Sequence, residues 1–233
     1  MARKIFVTAT NTDIGKTHTT LLLMEEAAKR GLLPGAFKPI ETGVLDGKPA
    51  DGARLLDAMT RLNPIAGGIT IDDIVPLRFA LPAAPFVAKG RSYIEPEPIV
   101  ERMRRVERMC DILFIEGAGG LLVPVEEGLF MIDLPALLDA HTLLVAPGRL
   151  GSINDTLLSM EALERRGLSF DLAINIRDTE EADAFKTVTL PYYEKARIDH
   201  FRLPDELEEL LNRLAGSKGS ESERGTALLR FTP

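Results

Sequence analysis

Ala9-Thr10-Asn11-Thr12-Asp13-Ile14-Gly15-Lys16-Thr17 is the stretch that decides the fold. An apolar run at residues 5–7 precedes it, and a helical pattern opens at Lys16. Strand, loop and helix in that order are the setting of a phosphate-cradling loop. Backbone N–H groups in such a loop point inward at phosphate oxygens, and the helix N-terminus adds partial positive charge. Lys16 is placed to reach the terminal phosphates, and the Thr17 hydroxyl to sit on Mg2+. The usual pattern is Gly-x-x-x-x-Gly-Lys-Ser/Thr. Here Ala9 holds the small-residue position ahead of Gly15, which still leaves room for a phosphate.

Outward from the loop, apolar runs alternate with helical patterns. The runs cover residues 4–8, 35–38, 111–115, 142–146 and 172–175, and are rich in Ile, Leu, Val and Phe. Short, nearly continuous runs of this kind are strands buried on both faces. Helices are expected over about residues 16–30, 51–59, 98–109, 135–139, 154–166 and 205–214. The alternation predicts an α/β fold, a parallel central sheet with helices on both faces, of the P-loop NTPase type. Ligands bind beyond the carboxyl ends of the strands in such sheets. Polar and glycine-rich segments follow the runs there. They are the phosphate loop, Lys38-Pro39-Ile40-Glu41-Thr42-Gly43, Glu116-Gly117-Ala118-Gly119-Gly120, residues 147–154, and residues 175–177. A single domain is expected over residues 1–215, with 216–233, which open on the small, polar stretch 216–224, as a flexible C-terminal tail.

The chain has 233 residues, 45% hydrophobic and 27% charged, enough for one sizeable core. Its formal net charge of −7 argues against a chain-wide nucleic-acid footprint. Cys110 is the lone cysteine, so neither an intramolecular disulfide nor a CxxC site exists, which fits a reducing compartment. Met1-Ala2-Arg3-Lys4 runs into the first strand without a signal peptide. No apolar stretch approaches the ~20 residues that span a bilayer. The expectation is a soluble cytoplasmic protein with no nucleic-acid or membrane partner.

Candidate chemistry clusters at the expected strand ends. Glu116, closing the run at 111–115, stands where a Walker-B carboxylate approaches the metal. Asp51 is either a third oxygen ligand or the N-cap of its helix. Lys38 is either a solvated lysine or a cation that neutralises a phosphoryl group or a carboxylated intermediate. Thr42 and Gly43 form a turn near it. The segment 117–120, nearly free of side chains, lets a ligand approach the backbone closely. Ser152-Ile153-Asn154 opens a helix whose N–H groups either hold a carboxylate or are simply capped. His18, His141 and His200 share no metal spacing and form no Ser-His-Asp arrangement. Arg102, Arg104, Arg105 and Arg108, interleaved with Glu101 and Glu107, are a solvated helix face.

Taken together, several segments resemble the dethiobiotin synthetase family. They are the loop 9–17, Lys38–Gly43 with its Lys-Pro-Ile-x-Thr-Gly pattern, Asp51, Ala84-Pro85-Phe86-Val87-Ala88, 116–120, Pro124-Val125, Leu150-Gly151-Ser152-Ile153-Asn154 and Asn175. Order and spacing match to about residue 176. The resemblance implies that ATP, Mg2+ and CO2 are used to close a ureido ring on 7,8-diaminopelargonic acid, through a carbamate and a carbamic–phosphoric anhydride.

Carried onto this sequence, it implies that Thr17, Asp51 and Glu116 hold the metal. Lys38, Lys16 and Thr12 act on the reacting groups. The nucleotide meets Asp13, Ile14, Gly15, Lys16, Thr17, His18, Asp51, Glu116, Gly117, Ala118, Gly119 and Asn175. The substrate meets Thr12, Lys38 and Thr42, and, from the second subunit of a homodimer, Gly151, Ser152, Ile153 and Asn154. Asp13 stands where many members have glutamate, and residues 176–191 do not follow the family's pattern. A second nucleotide-base contact is placed at Pro204-Asp205-Glu206, unless that segment only opens the helix after it. Two other readings share the loop: a related amide-forming synthetase, and a partitioning-type nucleotide switch, which typically carries an early loop lysine where this chain has Thr10 and Asn11.

Overall fold

A computed structural model of the chain describes residues 1–216. The expected tail at residues 216–233 therefore lies, beyond Gly216, outside the described residues. The strands are β1 (Arg3–Ala9), β2 (Pro34–Phe37), β3 (Ile40–Thr42), β4 (Leu77–Phe79), β5 (Ile112–Gly120), β6 (Pro124–Glu126), β7 (Leu129–Phe130), β8 (His141–Pro147), β9 (Phe170–Asn175) and β10 (Phe201–Leu203). The α-helices are α1 (Lys16–Lys29), α2 (Ala50–Leu62), α3 (Ile71–Ile74), α4 (Pro85–Ala88), α5 (Pro96–Glu107), α6 (Leu134–Leu137), α7 (Ser152–Arg165), α8 (Thr179–Ala184), α9 (Leu190–Ala196) and α10 (Leu207–Gly216).

The central sheet has six strands in the order β10-β9-β8-β1-β5-β2, every neighbouring pair parallel. Each of the apolar runs became one of its strands. Parallel strands need crossover connections, and helices supply them. On β8, Leu143 and Val145 join one apolar cluster while Leu144 and Ala146 join the other. That alternation is the period of a strand with both faces covered. Helix α1 buries Thr20, Leu23, Met24 and Ala27. Their spacing is that of one helical face, which lies on the larger cluster.

Several features depart from the sequence reading: Thr42, expected in a turn, ends β3, and short elements such as β4, α8 and α9 were not anticipated. β10 pairs Phe201, Arg202 and Leu203 with Ala173, Ile174 and Asn175, and was not anticipated. Three residues are too few to show a period. β5 runs on to Gly120, so Glu116 and its glycine-rich followers lie within a strand and not in a loop after one. β1 holds them there: Val7 faces Glu116, and after an irregularity Ala9 faces Gly120. Gly120 allows the approach, since a Cβ there would stand 3.1 Å from the Thr10 carbonyl oxygen. No helix among the described residues is long and apolar enough to cross a membrane.

Candidate active site

β1 delivers the chain to the phosphate loop. Thr10 N–H still donates to the Val145 carbonyl at 3.1 Å, and the backbone then leaves the sheet. Asp13 (φ 58°) and Gly15 (φ 105°) turn it into α1. Gly15 occupies the N-cap position with no side-chain cap, so the first N–H groups of α1 face the loop's concavity. A Cβ on Gly15 would stand 2.1 Å from Asn175 Nδ2. The Asn175 amide donates to the Ile14 carbonyl at 2.8 Å and ties the end of β9 to the loop. The Arg177 guanidinium donates to the Asp13 carbonyl from the same side.

Beside the loop lies a charged corner, with Lys38 and Glu116 buried and Asp51 partly exposed. Lys38 follows β2, is 3% exposed, and has its N–H bonded to the Ile74 carbonyl at 2.7 Å. Its Nζ donates to Glu116 Oε1 at 2.5 Å and to Asp51 Oδ2 at 3.0 Å. Thr17 Oγ1 donates to the same Glu116 Oε1 at 2.9 Å. Glu116 Oε2 is buried and has no hydrogen-bond partner among the described residues. Lys38 is thus no solvated lysine. Nor is Asp51 an N-cap: Pro49 holds that position, and the Asp51 carboxylate turns to Lys38.

The two site lysines are tuned in opposite directions. Burial lowers Lys16 to a pKa of about 8, with nearby Glu116 only partly offsetting it and Lys38 adding to the shift. Its Nζ donates to the Asn11 carbonyl at 3.1 Å. Burial also penalises the Lys38 ammonium, but Glu116 and then Asp51 outweigh it and raise its pKa above the ordinary lysine value. Asp51 pays burial in the reverse sense, and the Lys38 charge and hydrogen bond more than compensate, leaving its carboxyl below the usual range.

A cavity of about 690 Å³ opens over the loop and the corner. Thr12, Asp13, Gly15, Lys16, Thr17 and exposed His18 line its loop side. Lys38, Thr42, Asp51, Glu116, Gly117, Ala118 and Gly119 line the other, with Asn175 at one end. Ile14 does not line the cavity: its side chain is in the core, and its carbonyl accepts from Asn175. Gly151, Ser152, Ile153 and Asn154 do not line this cavity. They form the start of α7, with Gly151 at φ 89° and no side-chain cap on the helix.

The sequence reading assigned no role to Glu41 or Arg54, which also line the cavity, or to Arg177. Arg54 stands one turn beyond Asp51 on α2, so helical spacing from Asp51 pointed to it. Pro204 lines the cavity beside Arg177, whereas Glu206 accepts from the Arg202 side chain and backbone.

Hard oxygen donors converge here: a hydroxyl and two carboxylates, one of which has a buried oxygen without a hydrogen-bond partner among the described residues. That set fits Mg2+, which takes one or two carboxylates and completes its shell with water and phosphate oxygens.

Comparison with known proteins shows the family of the chain. A family model described as an AAA domain matches residues 3–200. The protein named ATP-dependent dethiobiotin synthetase BioD of Sulfurovum sp. (strain NBC37-1) is 50% identical over 190 residues, 82% of this chain and 89% of the relative. Its namesake from Wolinella succinogenes is 40% identical over 215 residues, 91% of this chain and 98% of the relative. Among solved structures, the MinC:MinD cell division protein complex of Aquifex aeolicus superposes with a TM-score of 0.53 at 18% identity, covering 91% of this chain and 86% of that one. A plasmid partition protein from Borrelia burgdorferi gives 0.52 at 9% identity, covering 92% and 96%. At such identities the likeness shows the fold alone. By the identity and coverage of its relatives, the chain belongs to the ATP-dependent dethiobiotin synthetases.

Proposed function

We propose that one domain, residues 1–215, carboxylates 7,8-diaminopelargonic acid with CO2 and closes the ureido ring, with ATP as phosphoryl donor. The observation that carries this reading is Lys38, buried between Glu116 and Asp51 beside the phosphate loop. An amine of the substrate adds to CO2 and loses a proton, giving a carbamate. A carbamate oxygen attacks the γ-phosphorus and ADP leaves, giving a carbamic–phosphoric anhydride. The second amine attacks the carbonyl carbon, loses a proton, and phosphate leaves as the ring closes.

Each step asks for positioning and for neutralisation of charge, and the residues supply both. Lys38 holds the carbamate and keeps its positive charge throughout, given its raised pKa. Lys16 stands against the transferred phosphoryl group, with the first N–H groups of α1 around the phosphates. Thr12 and Thr42 hydrogen-bond the reacting end of the diamine, from the loop and from β3. Thr17, Asp51 and Glu116 are the residues that would hold Mg2+, and Glu116 Oε2 has a lone pair to give. When bound, the ion neutralises phosphate charge.

The substrate's far carboxylate meets Gly151, Ser152, Ile153 and Asn154 of a second copy, so the working form is a homodimer with sites at the interface. The separation of these residues from their own chain's cavity supports this. The setting is the cytoplasm, which the single, partly buried Cys110 suits. The test is direct. Purified protein is mixed with 7,8-diaminopelargonic acid, bicarbonate, Mg2+ and ATP, and dethiobiotin is sought by mass spectrometry. Wild type is expected to give product and Lys38→Ala to give little. No product from wild type with any nucleoside triphosphate overturns the reading.

A further inference from the structure

α2 starts without a side-chain cap from its own segment, and the first amides of a helix have no partner within it. Here Asp51 N–H donates to Glu41 Oε1 at 3.1 Å, and Gly52 N–H to Glu41 Oε2 at 2.9 Å. Glu41 is buried and stands on β3, only a short step from Lys38. Both oxygens of one carboxylate therefore grip the backbone around the residue that receives Lys38 Nζ. The grip is close. A Cβ at position 52 would stand 3.1 Å from Glu41 Oε2 and 2.3 Å from Val75 Cγ2, so glycine is required there.

We propose that Glu41 is a positioning residue for the reaction: through the Asp51 and Gly52 amides it fixes the Asp51 carboxylate against Lys38 beside the phosphate loop. The inference rests on the proposed role of Asp51 at the site. A carboxylate on helix amides makes charge-assisted bonds, stronger than neutral ones. A simple cap would steady α2 and nothing else. Glu41 does more because its strand directly follows Lys38, so one side chain joins both ends of the Lys38–Asp51 contact. The Lys38 backbone is held to Ile74, so it does not follow a displaced Asp51.

The test uses the full-length protein as wild type, Glu41→Gln, Glu41→Ala and Asp51→Asn. Hydrogen exchange of the Asp51 and Gly52 amides is followed in metal-free protein. Half-saturating Mg2+ for dethiobiotin formation is measured at fixed ATP and diamine. Glu41→Ala is expected to speed exchange in the first turn of α2 and to raise half-saturating Mg2+ by roughly tenfold or more. Glu41→Gln keeps one carbonyl acceptor and the side chain's shape, so it shifts the same way by less. ATP binding without metal, which depends on the loop, stays within about twofold in both. Wild-type Mg2+ dependence in both Glu41 variants, with Asp51→Asn impaired, overturns the proposal, and lower stability alone would make Glu41 a plain cap. Wild-type behaviour of Asp51→Asn instead overturns the role of Asp51 on which the proposal rests.

Discussion

The phosphate loop and the carboxylate corner beside it solve opposite problems with the same residue type. Lys16 is buried with only a backbone carbonyl as its hydrogen-bond partner among the described residues, and its pKa falls to about 8. Lys38 is buried more deeply, and two carboxylates hold its charge. Lys16 forms no ion pair among the described residues, and nearby carboxylates offset its burial only in part, so the loop suits a ligand that brings negative charge. An ammonium with two counter-ions is already neutralised, so the corner stands ready before any ligand arrives. The lesson is that burial alone does not set a lysine's charge; the partners decide which way it moves.

The strongest way to break this comparison is to remove the partner. Lys38→Met leaves Glu116 buried without its cation. It is expected to destabilise the protein by about 3–5 kcal/mol and to lower kcat by about a thousandfold, read by denaturant titration and steady-state rates. Lys16→Met is expected to lower kcat/KM by about a hundredfold or more while leaving stability at neutral pH unchanged or higher. Should the two variants lose equal stability, the contrast fails.

The pH dependence of ligand-free stability sharpens the same contrast. The folded pKa of Lys16 lies below its ordinary 10.5, so the unfolded chain binds more protons between about 8 and 10.5. Its contribution therefore makes stability rise with pH across that window, by up to about 3 kcal/mol, with the penalty fully present below it. Lys38 has the opposite sign. Its stabilisation is complete below the ordinary lysine value of 10.5 and is lost as pH rises beyond it. Denaturation midpoints of wild type against Lys16→Met, from pH 7 to 10.5, isolate the first effect, and a flat difference would refute it.

Smaller effects test the surroundings. Asn175→Ala removes the bond to the Ile14 carbonyl and is expected to weaken ATP binding by about 1 kcal/mol, seen by calorimetry, with the corner's Mg2+ dependence unchanged. Asn154→Asp adds a negative charge to the first turn of α7. If the substrate carboxylate docks there, KM for the diamine rises by about two- to fivefold with kcat unchanged, from a cost of about 0.3–1 kcal/mol. An unchanged KM would argue against that docking.

Much of this was legible beforehand. The loop and the sheet's apolar runs carry local signals: a glycine before Lys-Thr, and short continuous apolar stretches. The corner was legible only as a set of residue types. Asp51 reads equally well as a cap, and Lys38 as a solvated lysine, because neither sequence position says what faces it. Glu41 looks like one more polar strand residue until α2 is seen to begin against it. β10 gave no signal, since its three residues take their strand form from pairing with β9.

By itself the sequence determined the P-loop α/β architecture, the loop that meets phosphates, and the family the chain resembles. These follow from periodicity and from backbone needs that act over a few neighbouring residues. The tertiary structure alone decided that Lys38, Asp51, Thr17 and Glu116 form one charged corner, that Lys16 and Lys38 titrate in opposite directions, and that Glu41 grips the start of α2. Those outcomes depend on burial and on charges brought together from β2, β3, α1, α2 and β5. Coulomb energy depends on distance in space, and residues far apart in the chain have none to read until the sheet places them side by side.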